Sequence, residues 1–333
     1  MKICKLYIGE HEASTEVKEW IENEDGSITD GEVTLQVGDY INYDPLTGAS
    51  KTSVTSYATE TGAENDQTFN LADYTGKWKI FGVENGKIQI IPEDEILTTD
   101  SEDYYLRGAT GLKNAVTELD KISALYGQGE YAESARSVNH QDVANLVGLT
   151  TEYWNTTEGY GKDTVMLYGN EVSIFWDGIN KPRYESTLAG NGNLSNNHSG
   201  GFYWYDFETE TMQKIDYITT PSEEPIVTIT NDFYGCIGSD LLDTSSSKYK
   251  MVFTNSDGSN SNYWLGSRFS IVSPYGAGFG VYGVNDGGVG VYDLVSSDRG
   301  GYDWDAGVRP LVSLQSNIQL TSAGANTWDI SAS

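Results

Sequence analysis

Turns of the Asn-Gly kind, set between short runs of alternating residues, constrain this chain more than any other feature. Trp78-Lys-Ile-Phe-Gly-Val83 and Ile88-Gln-Ile-Ile-Pro92 flank Asn85-Gly86, and Asn-Gly accepts the positive φ that both central positions of a tight hairpin require. The same grammar recurs where Gly278-Phe-Gly-Val-Tyr-Gly-Val284 and Gly290-Val-Tyr-Asp-Leu-Val295 flank Asn285-Asp-Gly-Gly288. From Glu32 to Tyr43 apolar and polar residues alternate around Gly38-Asp39, as in a bent strand or hairpin of a small barrel. Tyr263-Trp-Leu-Gly-Ser-Arg268 and Gly307-Val-Arg-Pro-Leu-Val-Ser-Leu314 read as further strands. The chain is therefore expected to be α+β and β-dominated.

Helical spacing is confined to one region. Leu112, Ala115, Val116, Leu119, Ile122, Leu125 and Tyr126 recur at that period, with Thr110 a candidate cap and Gly127 a candidate stop. A shorter helix fits Asn139 to Leu146, capped by Asn139 and ended by Gly148. Near the N-terminus a strand (Ile3 to Ile8) and a short helix (Val17 to Ile21) are expected, while residues 46–70 read as a long polar loop. Thr164 to Tyr168, Glu171 to Trp176 and Gly201 to Phe207 read as strands between Asn/Gly/Ser loops. Phe202-Tyr203-Trp204-Tyr205 reads as core or interface strand before it reads as a sugar platform. A terminal strand is expected over Asn317 to Leu320, then a tail.

At 333 residues the chain exceeds one ordinary core. A net charge of −29 excludes a phosphate-binding groove and so argues against a nucleic-acid partner. With 23 Tyr, 8 Trp and 9 Phe, the chain is too aromatic to be an unfolded acidic polymer. No apolar run approaches the length of a membrane span or signal peptide, so neither membrane insertion nor classical secretion is expected. Cys4 and Cys236 stand alone, and three scattered histidines offer no ligand pair, so no metal, cofactor or disulfide is expected. Asp286, Asp293, Asp298, Asp303 and Asp305 match no Ca²⁺ loop spacing. His140 beside Asp142 has no nucleophile at a recognisable spacing, which weighs against catalysis.

Tyr263-Trp-Leu-Gly-Ser-Arg268, followed by Gly307-Val-Arg-Pro-Leu-Val-Ser-Leu314, resembles the ending of a family of phage and prophage proteins with a C-type-lectin-like fold. Val37-Gly-Asp-Tyr-Ile-Asn-Tyr43, Trp78-Lys-Ile-Phe-Gly-Val83, Leu106-Arg-Gly-Ala-Thr-Gly111 and Ala135-Arg-Ser-Val-Asn139 resemble that family's upstream blocks, in order. The likeness covers residues 33–147 and 251–314. Such proteins are similar to the variable proteins of diversity-generating retroelements and, more distantly, to formylglycine-generating enzymes. The strand runs within residues 1–100 suggest an SH3-like or similar small β-barrel region, and the resemblance implies a C-type-lectin-like domain from 101–150 and 241–320. A β-rich insertion would occupy 151–240 and a tail 321–333.

It also implies a non-enzymatic protein on a virion surface, made in the bacterial cytoplasm, that binds a host-surface glycan or protein through its C-terminal loops. Other virion proteins would hold its N-terminal region, and a homo-oligomer is among the arrangements allowed. The alternatives are an inert head-decoration or fibre protein and an enzyme of the formylglycine-generating type, for which the C-terminal sheet lacks thiols. The ligand-binding residues expected between the two framework motifs are Phe269, Ile271, Tyr275, Tyr282, Asn285, Asp286, Tyr292, Asp293, Ser296, Asp298, Tyr302, Asp303 and Trp304. Tyr and Trp supply stiff amphipathic area, and Ser, Asn and Asp adaptable hydrogen bonds. Trp264 is assigned to the core, and Arg268 and Arg309 to hydrogen bonds or ion pairs at strand ends.

Overall fold

The computed structural model describes residues 19–46, 48–57, 65–149, 163–168, 183–186, 201–206, 211–216, 227–231, 236–239, 242–273, 276–296, 300–301 and 303–333. The strands expected over Ile3 to Ile8 and Glu171 to Trp176 lie outside them, as does Cys4. The protein is β-dominated, with two principal sheets.

The first sheet has seven strands: β1 (Tyr40–Asn42), β2 (Trp78–Glu84), β3 (Lys87–Pro92), β5 (Ala132–Ser137), β11 (Pro310–Leu314), β12 (Ile318–Gly324) and β13 (Thr327–Ala332), in the order β5-β11-β3-β2-β1-β13-β12. The second has six: β4 (Tyr104–Arg107), β6 (Tyr263–Ser273), β7 (Gly276–Asn285), β8 (Gly288–Ser296), β9 (Gly300–Gly301) and β10 (Asp303–Val308), in the order β9-β8-β7-β6-β10-β4. Both expected hairpins form. Asn85 and Gly86 take φ of 52° and 73°, and Asp286 and Gly287 take 50° and 76°, the conformation a two-residue turn between twisted strands demands.

The first sheet does not close, and among the described residues no barrel forms. Its strands come from both ends of the chain: β3 pairs with β11, and β1 pairs in parallel with β13. The described part of residues 1–100 is therefore not separate from the C-terminal strands, and the end of the chain is no tail, since β13 pairs with β12. The buried side chains of both sheets make one continuous core. Gly38, at φ 95°, lets the chain leave the strand Thr34–Gln36 and enter β1, so the bent run feeds two different sheets. The region expected to be a loop carries an antiparallel pair, Lys51–Ser56 with Asn65–Asn70. Its polar composition hides the fact that Val54 and Phe69 bury one face of that ribbon.

Helix α1 (Gly108–Tyr126) buries Leu112, Ala115, Leu119, Ile122, Leu125 and Tyr126 along one stripe. It starts before Thr110, with Arg107 as cap residue. Gly127 ends it at φ −90° and is needed for closeness, because a Cβ there would sit 2.6 Å from that of Ala135. Helix α2 (His140–Leu146) is capped as expected, with Asn139 and Asp142 forming a reciprocal capping box and Gly148 left-handed at φ 77°. A third helix, α3 (Ser247–Phe253), capped by Ser246, was not expected. Ile21 lies in a strand with Glu22, where a helix end had been expected. Between α2 and α3, Asp163–Tyr168 pairs with Arg183–Ser186 and Val227–Asn231, and Gly201–Asp206 pairs with Thr211–Asp216.

The chain crosses from the second sheet to the first at Arg309, between β10 and β11. This guanidinium is fully buried and donates to the carbonyls of Pro92, Glu93, Met251 and Val252. It thus ties the end of β3 to the last turn of α3 at the corner where the sheets meet. Arg268 caps nothing at a strand end; it donates to the carbonyls of Leu112 and Lys113 and fastens β6 to α1. Trp264 is fully buried, and its indole donates to the Tyr104 carbonyl at 2.7 Å, joining β6 to β4.

Candidate binding face

Strand β7 carries glycine at 276, 278, 280 and 283, and the last two of these positions permit a close approach. A Cβ at Gly283 would lie 2.4 Å from the ring of Tyr292, and one at Gly280 would lie 1.9 Å from the Tyr292 carbonyl. Their lack of side chains lets Tyr292, on β8, lie across β7 toward β6 and β10. There its ring meets Trp264 edge-on at 5.2 Å and Trp304 edge-on at 5.3 Å.

The three rings run from core to surface: Trp264 is fully buried, Tyr292 is 7% exposed and Trp304 is 42% exposed. Trp304 is also held from the side, its indole N–H donating to the Asp293 carbonyl at 3.0 Å. An exposed tryptophan fixed by a hydrogen bond and an edge-on ring loses little side-chain freedom when a partner covers it.

Carboxylates surround this surface. Register sets Asp305 opposite Tyr105 and Trp304 opposite Leu106, which brings the start of β4 beside β10. Burial pushes the Asp103 carboxyl up to about 6, with Asp305 and Glu95 adding repulsion. Asp305 in turn raises the Tyr105 phenol. Burial raises the Tyr292 phenol, and Asp286, Asp305 and Asp103 add to the shift. Asn285 and Asp286 are exposed on the β7–β8 turn, and Asp293 is half-buried.

The expected residues are thus divided. Trp304, Asp293, Asn285 and Asp286 share the outer region with Tyr292. Phe269 and Tyr282 are buried at 0% and 2% exposure, 5.4 Å apart, and Tyr282 packs on His140 of α2 at 4.3 Å. They are core side chains, not display residues, because their strand positions turn toward the helix-covered side. His140 is likewise a packing residue, 3% exposed. Ile271, Ser296 and Asp303 lie on strands, opposite Gly278, Gly278 and Arg107 in register. Tyr275, Asp298 and Tyr302 lie outside the described residues.

Asp103 and Tyr105 belong to the region and were not expected. Their only sequence signal is an Asp-Tyr-Tyr run ahead of α1, and nothing in that run names β10 as its neighbour. Among the described residues no group of three or more His, Cys, Asp or Glu side chains could hold a metal ion. Cys236 carries a free thiol. Among the described residues no helix is long and apolar enough to cross a membrane. Comparison of the chain with protein-family models, curated proteins and solved structures finds no match.

Proposed function

We propose that this protein is a non-enzymatic recognition protein that binds its partner through the surface around Trp304. One observation carries the reading: an indole 42% exposed, yet fixed by Tyr292 and by the Asp293 carbonyl. Anchors of this kind dominate binding energies, since a large stiff ring covers apolar area at small entropic cost. Polar groups lie on the same hairpin as its ring partner, Asn285 and Asp286 exposed at the turn and Asp293 accepting from the indole.

The finer reading is a C-type-lectin-like protein of a phage or prophage, displayed on the virion and recognising a host-surface glycan or protein. Its support is the pair of framework motifs around Trp264 and Arg309, whose side chains tie β6 to β4 and the end of β3 to α3. Several copies per particle would multiply a modest affinity.

The test is binding of the purified protein and of Trp304→Ala to intact candidate host cells and to a glycan array. The variant is expected to lose about 2 kcal/mol of binding, roughly thirtyfold, while melting like the parent. Binding that is unchanged in the variant moves the site elsewhere on the molecule. No binding to any target favours an inert structural component of the particle.

A further inference from the structure

A second concavity lies on the other sheet, where β1 and β2 part company. Their pairing is limited to Tyr40 with Lys79 and Ile41 with Trp78. Beyond those pairs the chains diverge around a cleft of about 360 Å³, within the roughly 300–1,000 Å³ of small-molecule sites. Tyr40, Asn42, Tyr43, Lys77, Trp78 and Thr327 line it. Trp78 and Tyr43 form a rigid base, edge-on at 5.0 Å, and both are buried.

The polar groups at its rim have complementary free valences. The Asn42 amide nitrogen donates to Asp329 at 2.6 Å, which leaves the amide oxygen as an acceptor. The Thr327 hydroxyl donates to the Ala325 carbonyl at 3.3 Å, so its lone pairs are likewise acceptors. Two ammonium groups stand over the Tyr40 ring, Lys77 at 4.9 Å and Lys79 at 5.2 Å. Lys79 is matched by Glu93 at 3.0 Å, which also accepts from the Tyr40 hydroxyl at 2.7 Å. Lys77 forms no ion pair with any described residue, although its backbone carbonyl is pinned by Glu93 N–H at 2.7 Å. Of the nearby carboxylates, Asp44 accepts from the Leu46 N–H at 2.9 Å, Asp329 from Asn42 and Asp94 from Ser256, each turned to a partner other than Lys77.

We propose that this cleft is a second binding site, separate from the Trp304 surface, for a sugar acid of monosaccharide size. Its carboxylate meets the Lys77 ammonium, two of its hydroxyls donate to Asn42 Oδ1 and Thr327, and its ring rests against Tyr40. Two acceptors beside one cation that lies outside ion-pair distance of every described carboxylate select a ligand with hydroxyl donors and one negative charge. A neutral sugar leaves the ammonium unused, and a simple carboxylate leaves both acceptors unused.

The test is an NMR titration of the ¹⁵N-labelled full chain with sodium glucuronate, with glucose and sodium acetate as controls. Saturable shifts are expected at the amides of Asn42, Gly76, Lys77 and Thr327, with affinity in roughly the millimolar range. Glucose and acetate are each expected to bind about tenfold more weakly. Lys77→Gln, an exposed substitution that leaves the core untouched, is expected to weaken glucuronate about tenfold without moving its glucose response. The absence of saturable shifts at these amides overturns the site. Equal binding of glucose and glucuronate, or an unchanged Lys77→Gln, overturns the assignment to an acid.

Discussion

Replacing Arg309 by leucine tests the account of how the two sheets are joined. The guanidinium is fully buried and its partners are main-chain carbonyls, of Pro92, Glu93, Met251 and Val252. An aliphatic side chain of similar bulk removes the cost of burying a charge, which is why buried ion pairs can often be exchanged for apolar groups at no loss. That exchange fails when the partners are backbone, because they cannot be replaced along with the arginine. Each orphaned carbonyl costs about 1–3 kcal/mol, so four cost roughly 4–12 kcal/mol before the relief of burying the charge is set against them. The expected net loss is about 3–5 kcal/mol, the range for removing one side of a buried polar contact.

At 2–4 °C per kcal/mol, this lowers Tm by roughly 6–20 °C. Arg309→Lys keeps the charge, but three donors on one nitrogen cannot span Pro92 and Met251 together, so about half the loss is expected. Urea denaturation of both variants measures the effect, with a lower midpoint at unchanged slope as the expected pattern. A leucine variant within about 1 kcal/mol of the parent would refute the idea that these carbonyls depend on Arg309.

Two further expectations concern the binding face. Gly283→Ala places a methyl 2.4 Å from the Tyr292 ring, so Tyr292 must leave its contact with Trp304; weaker partner binding at near-parental secondary structure by circular dichroism is expected, and unaltered binding would break the link. Asp103 has a folded-state pKa of about 6, above the ordinary 3.8, so its contribution favours the folded state fully below pH 4 and is lost as pH rises through 6. Asp103→Asn is therefore expected to gain in Tm relative to the parent between pH 4 and pH 7, and thermal melts showing a constant difference would contradict that sign.

Local chemistry made parts of this fold legible before any tertiary contact was known. Asn85-Gly86 and Asp286-Gly287 form hairpins because their own φ preferences admit few other turns. Asn139 and Asp142 cap α2 because both partners of that exchange lie within one helical turn. The stripe of α1 follows from a 3.6-residue period that can bury only one side. Trp264 lies in the core, where its motif assigned it.

What tertiary structure decided is every pairing between distant segments. Residues 46–70 read as a polar loop, yet Lys51–Ser56 and Asn65–Asn70 form a ribbon because Val54 and Phe69 find a core that other segments supply. Phe269 and Tyr282 looked suited to display, and the side of the sheet covered by His140 and α2 turned them inward. Asp103 and Tyr105 come within electrostatic reach of Asp305 only through the register of β4 with β10, which spans some two hundred residues of sequence. Alternation along a strand states that two sides differ, but which side meets water depends on what packs against it. The sequence by itself therefore determined turns, caps and periods, while the tertiary structure decided which aromatic rings became core and which became surface.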